Sequence, residues 1–157
     1  MKFSTAFYVV FMFTEYTAYL SLIENWPACP APYQRLPGLE DLGCLREDNS
    51  PKSWSDARAS CVALGGDLAV MRTSQDFFRL RSYYAAQSAV TGLWVGVYSE
   101  MWLNGRTPEP GEWFDGEPNG SGPCVDMRLS SFIGTLYNFY LSDNICSNVH
   151  GFLCQLL

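Results

Sequence analysis

Residues 53–71 read Ser53-Trp-Ser-Asp-Ala-Arg-Ala-Ser-Cys-Val-Ala-Leu-Gly-Gly-Asp-Leu-Ala-Val-Met71, a helix written out with both of its ends. Ser53 is an N-cap residue, and Asp56 three positions on completes a capping box. Trp54, Ala57, Cys61 and Leu64 recur at helical spacing and define one apolar face. Gly65 and Gly66 stop the helix, the first able to take the left-handed cap, and Leu68–Met71 follows as a short strand. The grammar repeats downstream: Thr73 and Asp76 form a second capping box, Phe77, Leu80 and Tyr84 make a buried stripe, and Arg79 and Gln87 lie on the polar face. Beyond Gly92 the period changes. Leu93-Trp-Val-Gly-Val-Tyr98 is strand-like, and short apolar runs broken by Gly, Pro and Asn come after it. Upstream, residues 25–52 are rich in Pro, Gly and acidic residues and read as a loop or irregular hairpin carrying Cys29 and Cys44. Helices first and strands later imply an α+β fold with an antiparallel sheet.

The 157 residues suffice for one domain with a real core. Aromatics at 15% against 17% charged residues exclude a disordered chain. A net charge of −6 with no basic run argues against nucleic acid or an anionic membrane as partner. No repeat of solenoid period is present. At the N-terminus, Lys2 precedes the apolar stretch Phe3–Phe13, which Glu15 closes. That stretch is too short for the ~20 residues of a membrane span and suits a signal-peptide core. The expected organisation is a signal peptide over 1–21, its boundary between 17 and 26, then one secreted domain over 25–157. Six cysteines in such a chain imply three disulfides, with fifteen pairings open by spacing alone. Zinc is disfavoured, because there is no C-x-x-C pair and His150 is the one histidine.

Four collinear pieces resemble the C-type lectin-like domain family. They are Trp54–Ala57 with Cys61, Gly65, Gly66 and Leu68; Leu93-Trp-Val-Gly-Val97; Trp113-Phe-Asp-Gly-Glu-Pro-Asn119 with Cys124-Val-Asp-Met127; and Leu141-Ser-Asp143, Cys146 and Gly151-Phe-Leu-Cys154. Together they span nearly all of residues 29–157. The resemblance implies the pairings Cys61–Cys154 and Cys124–Cys146, and Cys29–Cys44 closing the N-terminal hairpin of the long-form variant.

In lectins of this family a calcium ion in the upper loops binds sugar directly, through six to eight oxygen ligands converging from separate loops. Glu117-Pro118-Asn119 is like the family signature for mannose-type sugars. A carboxylate accepts a hydrogen bond from a hydroxyl and an amide nitrogen donates one, an ordered pair that selects hydroxyl orientation. The resemblance assigns Glu117, Asn119 and Asp143 as calcium ligands, the same residues with Ser142 as the sugar contacts, and a cis peptide bond before Pro118. Departures weaken the site. Gly122 stands where the family has a Glu, in a shortened loop; Ser142 replaces an Asn and Leu141 a Trp. With fewer carboxylates the calcium affinity falls toward millimolar or is lost, although Ser142, Asn144 or Asp115 could compensate in part. The positions of the family's auxiliary calcium site hold Gly120, Gly122 and Pro123.

Trp94, Trp102 and Trp113 read as core, and the cluster Phe132, Tyr137, Phe139 and Tyr140 as core or a partner-binding patch. His150 reads as an ordinary surface residue. Asn119-Gly120-Ser121 is an N-glycosylation sequon, and a glycan on Asn119 would exclude its use as a sugar-binding amide. The sequence therefore describes a secreted, extracellular, non-enzymatic recognition module that binds mannose-type glycans, in the manner of innate-immune lectins. The rival reading is a calcium-independent domain that binds an extracellular protein or matrix.

Overall fold

The computed structural model describes residues 26–87, 90–130 and 138–156. The expected signal peptide therefore lies outside the described residues, as do Phe132 and Tyr137. Ser53 starts helix α1 (Trp54–Ala63): its Oγ accepts from the Asp56 N–H at 3.2 Å and donates to Asp56 Oδ2 at 2.7 Å. Gly65, at φ +82°, takes the left-handed turn that ends it. Trp54, Ala57 and Cys61 are buried as their spacing predicts, but Leu64 is exposed, because the chain has already left the helix there to make the turn. Helix α2 (Ser74–Ala85) is capped by Thr73 Oγ1, which accepts from the Asp76 N–H at 3.1 Å, and it buries Phe77, Leu80 and Tyr84. On its other face Arg79 forks onto both oxygens of Asp41 at 2.8 and 2.7 Å and fastens the N-terminal segment.

Among the described residues seven strands make one sheet: β1 (Leu45–Lys52), β2 (Gly66–Leu68), β3 (Gly92–Tyr98), β4 (Met101–Trp102), β5 (Cys124–Ser130), β6 (Asn138–Asn144) and β7 (His150–Leu156). The main order is β1-β7-β3-β5-β6, with β2 paired to β7 and β4 to β3. The expected antiparallel pairing holds for β1–β7, β2–β7, β3–β4, β3–β5 and β5–β6, and one pair makes the sheet mixed: β3 and β7 run parallel, since β7 returns beside β3 after the antiparallel β5–β6 pair has been laid on its other edge. The N-terminal segment is more regular than its composition suggested. After a 3-10 turn at Glu40–Leu42, residues Leu45–Lys52 form a full edge strand on β7. Its sequence has no apolar alternation because an edge strand is held by its backbone ladder and needs few buried side chains. The strand expected at Leu68–Met71 lies earlier. At Ala69 the ladder is handed over, its N–H going to Leu153 and its carbonyl accepting from the Gly96 N–H, both at 2.8 Å.

Disulfides join Cys29 to Cys44, Cys61 to Cys154 and Cys124 to Cys146, across 15, 93 and 22 residues. In the chain-entropy model the long loop closed by Cys61–Cys154 corresponds to about 4–5 kcal/mol, the largest of the three. Trp94 and Trp102 are fully buried, whereas Trp113 is half-buried at the edge of the core. Phe139 is core and Tyr140 half-buried. His150 is not a plain surface residue: its ring stands edge-on to Trp94 at 4.7 Å and its Nε2 lies 3.2 Å from Asn144 Nδ2.

Candidate functional site

The long connection from β4 to β5 is pinned before it reaches the Glu-Pro-Asn turn. Glu112 is fully buried and receives Trp102 Nε1 at 3.3 Å and the Arg106 guanidinium at 2.5 and 2.9 Å. Arg106 Nε also donates to the Met71 carbonyl at 3.1 Å, so this ion pair fixes the loop to the core and satisfies a buried carboxylate. Beyond it, the Phe114 N–H donates to the Leu141 carbonyl at 3.0 Å, laying the turn alongside β6. The Glu117–Pro118 bond is cis.

This path brings together residues that the sequence keeps more than twenty positions apart. Asp143, buried near the end of β6, accepts the Asn119 N–H on Oδ1 at 2.7 Å and the Gly122 N–H on Oδ2 at 3.2 Å. Glu117 is half-buried beside it. Its Oε1 accepts Asn119 Nδ2 and Ser142 Oγ, each at 3.1 Å, and its Oε2 accepts the Asn119 N–H at 3.3 Å. Burial raises the pKa of Glu117 and the adjoining Asp143 carboxylate raises it further. Burial opposes ionisation of Asp143 too, but its pairing with the Glu117 carboxyl group and hydrogen bonds from the Asn119, Gly122 and Ser121 amides outweigh it and hold its pKa below the usual range. Glu117, Asn119, Ser142 and Asp143 thus form one cluster, with Asn119 on its exposed outer side.

Two of the reserve positions do not join in. Asn144 points inward, its Nδ2 3.3 Å from Asp126 Oδ1, while Asp115 lies exposed on the preceding turn. Ser121 and Gly122 are the participants that reading by residue type passed over. Ser121 Oγ donates to Asn119 Oδ1 and reaches the Asp143 carbonyl at 3.1 Å. Gly122 packs on the backbone: a Cβ there would lie 2.2 Å from the Asn144 carbonyl oxygen. The sequon marked Ser121 in the sequence; Gly122 was marked only as the place of a missing acid in a shortened loop, not as a donor.

The "Lectin C-type domain" family model matches residues 50–156. The chain belongs to this family. A curated relative, ladderlectin of Oncorhynchus mykiss, is 28% identical over 112 residues, covering 65% of this chain and 57% of its own length. The chain thus spans little more than half of that relative. Among solved structures, the C-type lectin domain of murine dendritic cell inhibitory receptor 2, in complex with N-glycan, superposes with a TM-score of 0.63 at 18% identity, covering 81% of this chain and 97% of that one. The Ca2+-independent C-type lectin SPL-2 from Saxidomus purpuratus superposes with a TM-score of 0.62 at 19% identity, covering 80% and 91%. At such identities the likeness is one of fold.

The family often binds calcium, and the cluster can be tested for it. Among the described residues no group of three or more His, Cys, Asp and Glu side chains could hold a metal ion. The carboxamide oxygen of Asn119 and both carboxylate oxygens of Asp143 and of Glu117 already accept N–H or O–H donors. Gly122 has no room for a ligand side chain. The cluster as it stands does not fit a calcium cage. What it offers a ligand is the remaining lone pair of Glu117 Oε2, which takes only the long, shared bond from the Asn119 N–H, and, on Asn119 Nδ2, a second N–H beside the one given to Glu117.

Proposed function

We propose that this protein is an extracellular glycan-recognition module, delivered by a signal peptide over residues 1–21 and acting as a binder, not a catalyst. Recognition is assigned to Glu117, Asn119, Ser142 and Asp143, with Glu117 accepting from one sugar hydroxyl and Asn119 donating to its neighbour. Acceptor and donor in that order favour mannose-type hydroxyl pairs. The observation that carries the reading is the convergence of these residues, drawn from two separate segments, around an exposed Asn119. Family membership supports it, as do an N-glycan complex of one structural neighbour and the calcium independence of another. Among the described residues no helix is long and apolar enough to cross a membrane, and all six cysteines are paired, which fits an oxidising compartment.

The test is retention of the secreted protein on mannose-agarose, elution by free mannose, and the same run with Glu117→Ala. Retention that free mannose reverses and Glu117→Ala loses is expected. Its absence on mannose, N-acetylglucosamine, fucose and galactose columns would favour the protein-binding rival. The protein applied should have the same mass before and after enzymatic glycan removal, since a glycan on Asn119 would cover the surface under test.

A further inference from the structure

The cluster at the end of β6 is arranged as if a positive charge sat among its oxygens, and the structure meets them instead with N–H and O–H dipoles of its own backbone and side chains. Six oxygens converge there: two from Glu117, the side-chain oxygen of Asn119, and the two carboxylate oxygens and carbonyl of Asp143. Each accepts at least one hydrogen bond from within the loop. The donors are the Asn119 N–H, shared between both carboxylates, the Gly122 N–H, the Ser121 N–H and Oγ, the Ser142 Oγ and the Asn119 carboxamide. Dipoles aimed in this way neutralise a buried carboxylate without a counter-ion.

The packing of Gly122 closes the alternative. A side chain at 122 would strike the Asn144 carbonyl oxygen at 2.2 Å, its carbon at 2.7 Å and the Ile145 nitrogen at 2.9 Å, all of them backbone. The shortened loop that lets the Gly122 N–H reach Asp143 is therefore the same feature that leaves no place for a further acidic ligand. We infer that loop amides have taken the place of a metal ion in this domain: the Glu117–Gly122 turn is held in its recognition shape by Asp143 and Ser142 and by its own hydrogen bonds, and its surface works without calcium. The inference rests on the proposed function for the location of the recognition surface. Its test uses no sugar, so either can fail without the other.

The full secreted protein is stripped with EDTA and titrated with calcium chloride by calorimetry, up to ~10 mM, beyond the weak range of extracellular calcium modules. Thermal melts are run in calcium and in EDTA. No saturable heat and identical melting temperatures are expected. A saturable heat with an upward shift that Glu117→Ala removes would overturn the inference. Asp143→Asn sets an NH2 group against one of the two amides; it should lower the melting temperature by a few degrees, equally in calcium and in EDTA. A drop seen only in calcium would overturn it. If that variant does not accumulate, Glu117→Gln is read by the same comparison. Gly122→Glu, the one-residue restoration of the missing acid, should lower the melting temperature and gain no calcium response; a gained response would show that the loop can reopen and that the closure argument is wrong.

Discussion

Around Cys61 and Cys154 the molecule is held by side chains shut away from water: Ala57, Trp94 and Phe152 are fully buried there, and the disulfide locks α1 to β7. Around Glu117–Gly122 the holding is of another kind, with backbone amides and short polar side chains meeting two carboxylates and almost no apolar surface closed off. Burial is non-directional and tolerates exchange among apolar residues of similar volume. Hydrogen bonds are directional, so in the upper loop each donor must face particular acceptors and a single atom can matter. The first region supplies stability and the second supplies shape.

The sharpest way to break that contrast is to cut the lower region. Cys61→Ser should cost on the order of 2–5 kcal/mol and lower secretion, measured by urea unfolding of whatever is recovered. A variant as stable as the parent would mean that the lower region does not depend on its covalent tie. In the upper loop, Ser121→Ala removes the hydroxyl that joins Asn119 to the Asp143 carbonyl. About 1 kcal/mol is expected, appearing as faster hydrogen exchange at the Asn119 and Gly122 amides with exchange at Leu93 and Phe152 unchanged. Equal acceleration in both places would join the two regions into one cooperative unit.

The smallest effect lies between α2 and the N-terminal segment. The hydrogen bond from Arg79 is the main cause of the lowered pKa of Asp41. A carboxylate depressed on folding stabilises the fold above its unfolded pKa, and that contribution is lost as pH falls through the folded value. For this half-exposed pair, screened by solvent, the contribution should be below about 1 kcal/mol. Arg79→Ala should fall further below the parent at neutral pH than in strong acid, where only its bond to the Gly38 carbonyl is lost; an equal deficit at both would show that the charge of Asp41 contributes nothing.

Much of the lower region was legible because its rules are local. The Ser53 and Thr73 caps, the spacing of Ala57, Cys61, Phe77 and Leu80, and the glycine after α1 each act within a few residues. The edge strand Leu45–Lys52 was missed because its reason for being extended is β7, about a hundred positions away. In the candidate site the motif named Glu117, Asn119 and Asp143, and the short loop hinted at a weaker metal cage. That Asn119 meets Asp143 through its main chain, and that Gly122 lies against Asn144, are properties of the backbone path, which residue type does not encode.

The position of β7 also bears on how the chain is made. β1 and β2 pair with β7, the Leu156 N–H donates to the Cys44 carbonyl, and Gln155 bridges Val70 and Leu42. Synthesis runs from the N-terminus, so the N-terminal half emerges with its ladder partners missing. Cys29 and Cys44 can oxidise early, but Cys61 must stay a thiol until Cys154 appears, with Cys124 and Cys146 passing in between. The domain is thus completed by its final strand, and a ribosome pausing just before it would leave β1 and β2 without their ladder partner and the Cys61 sulfur without its own.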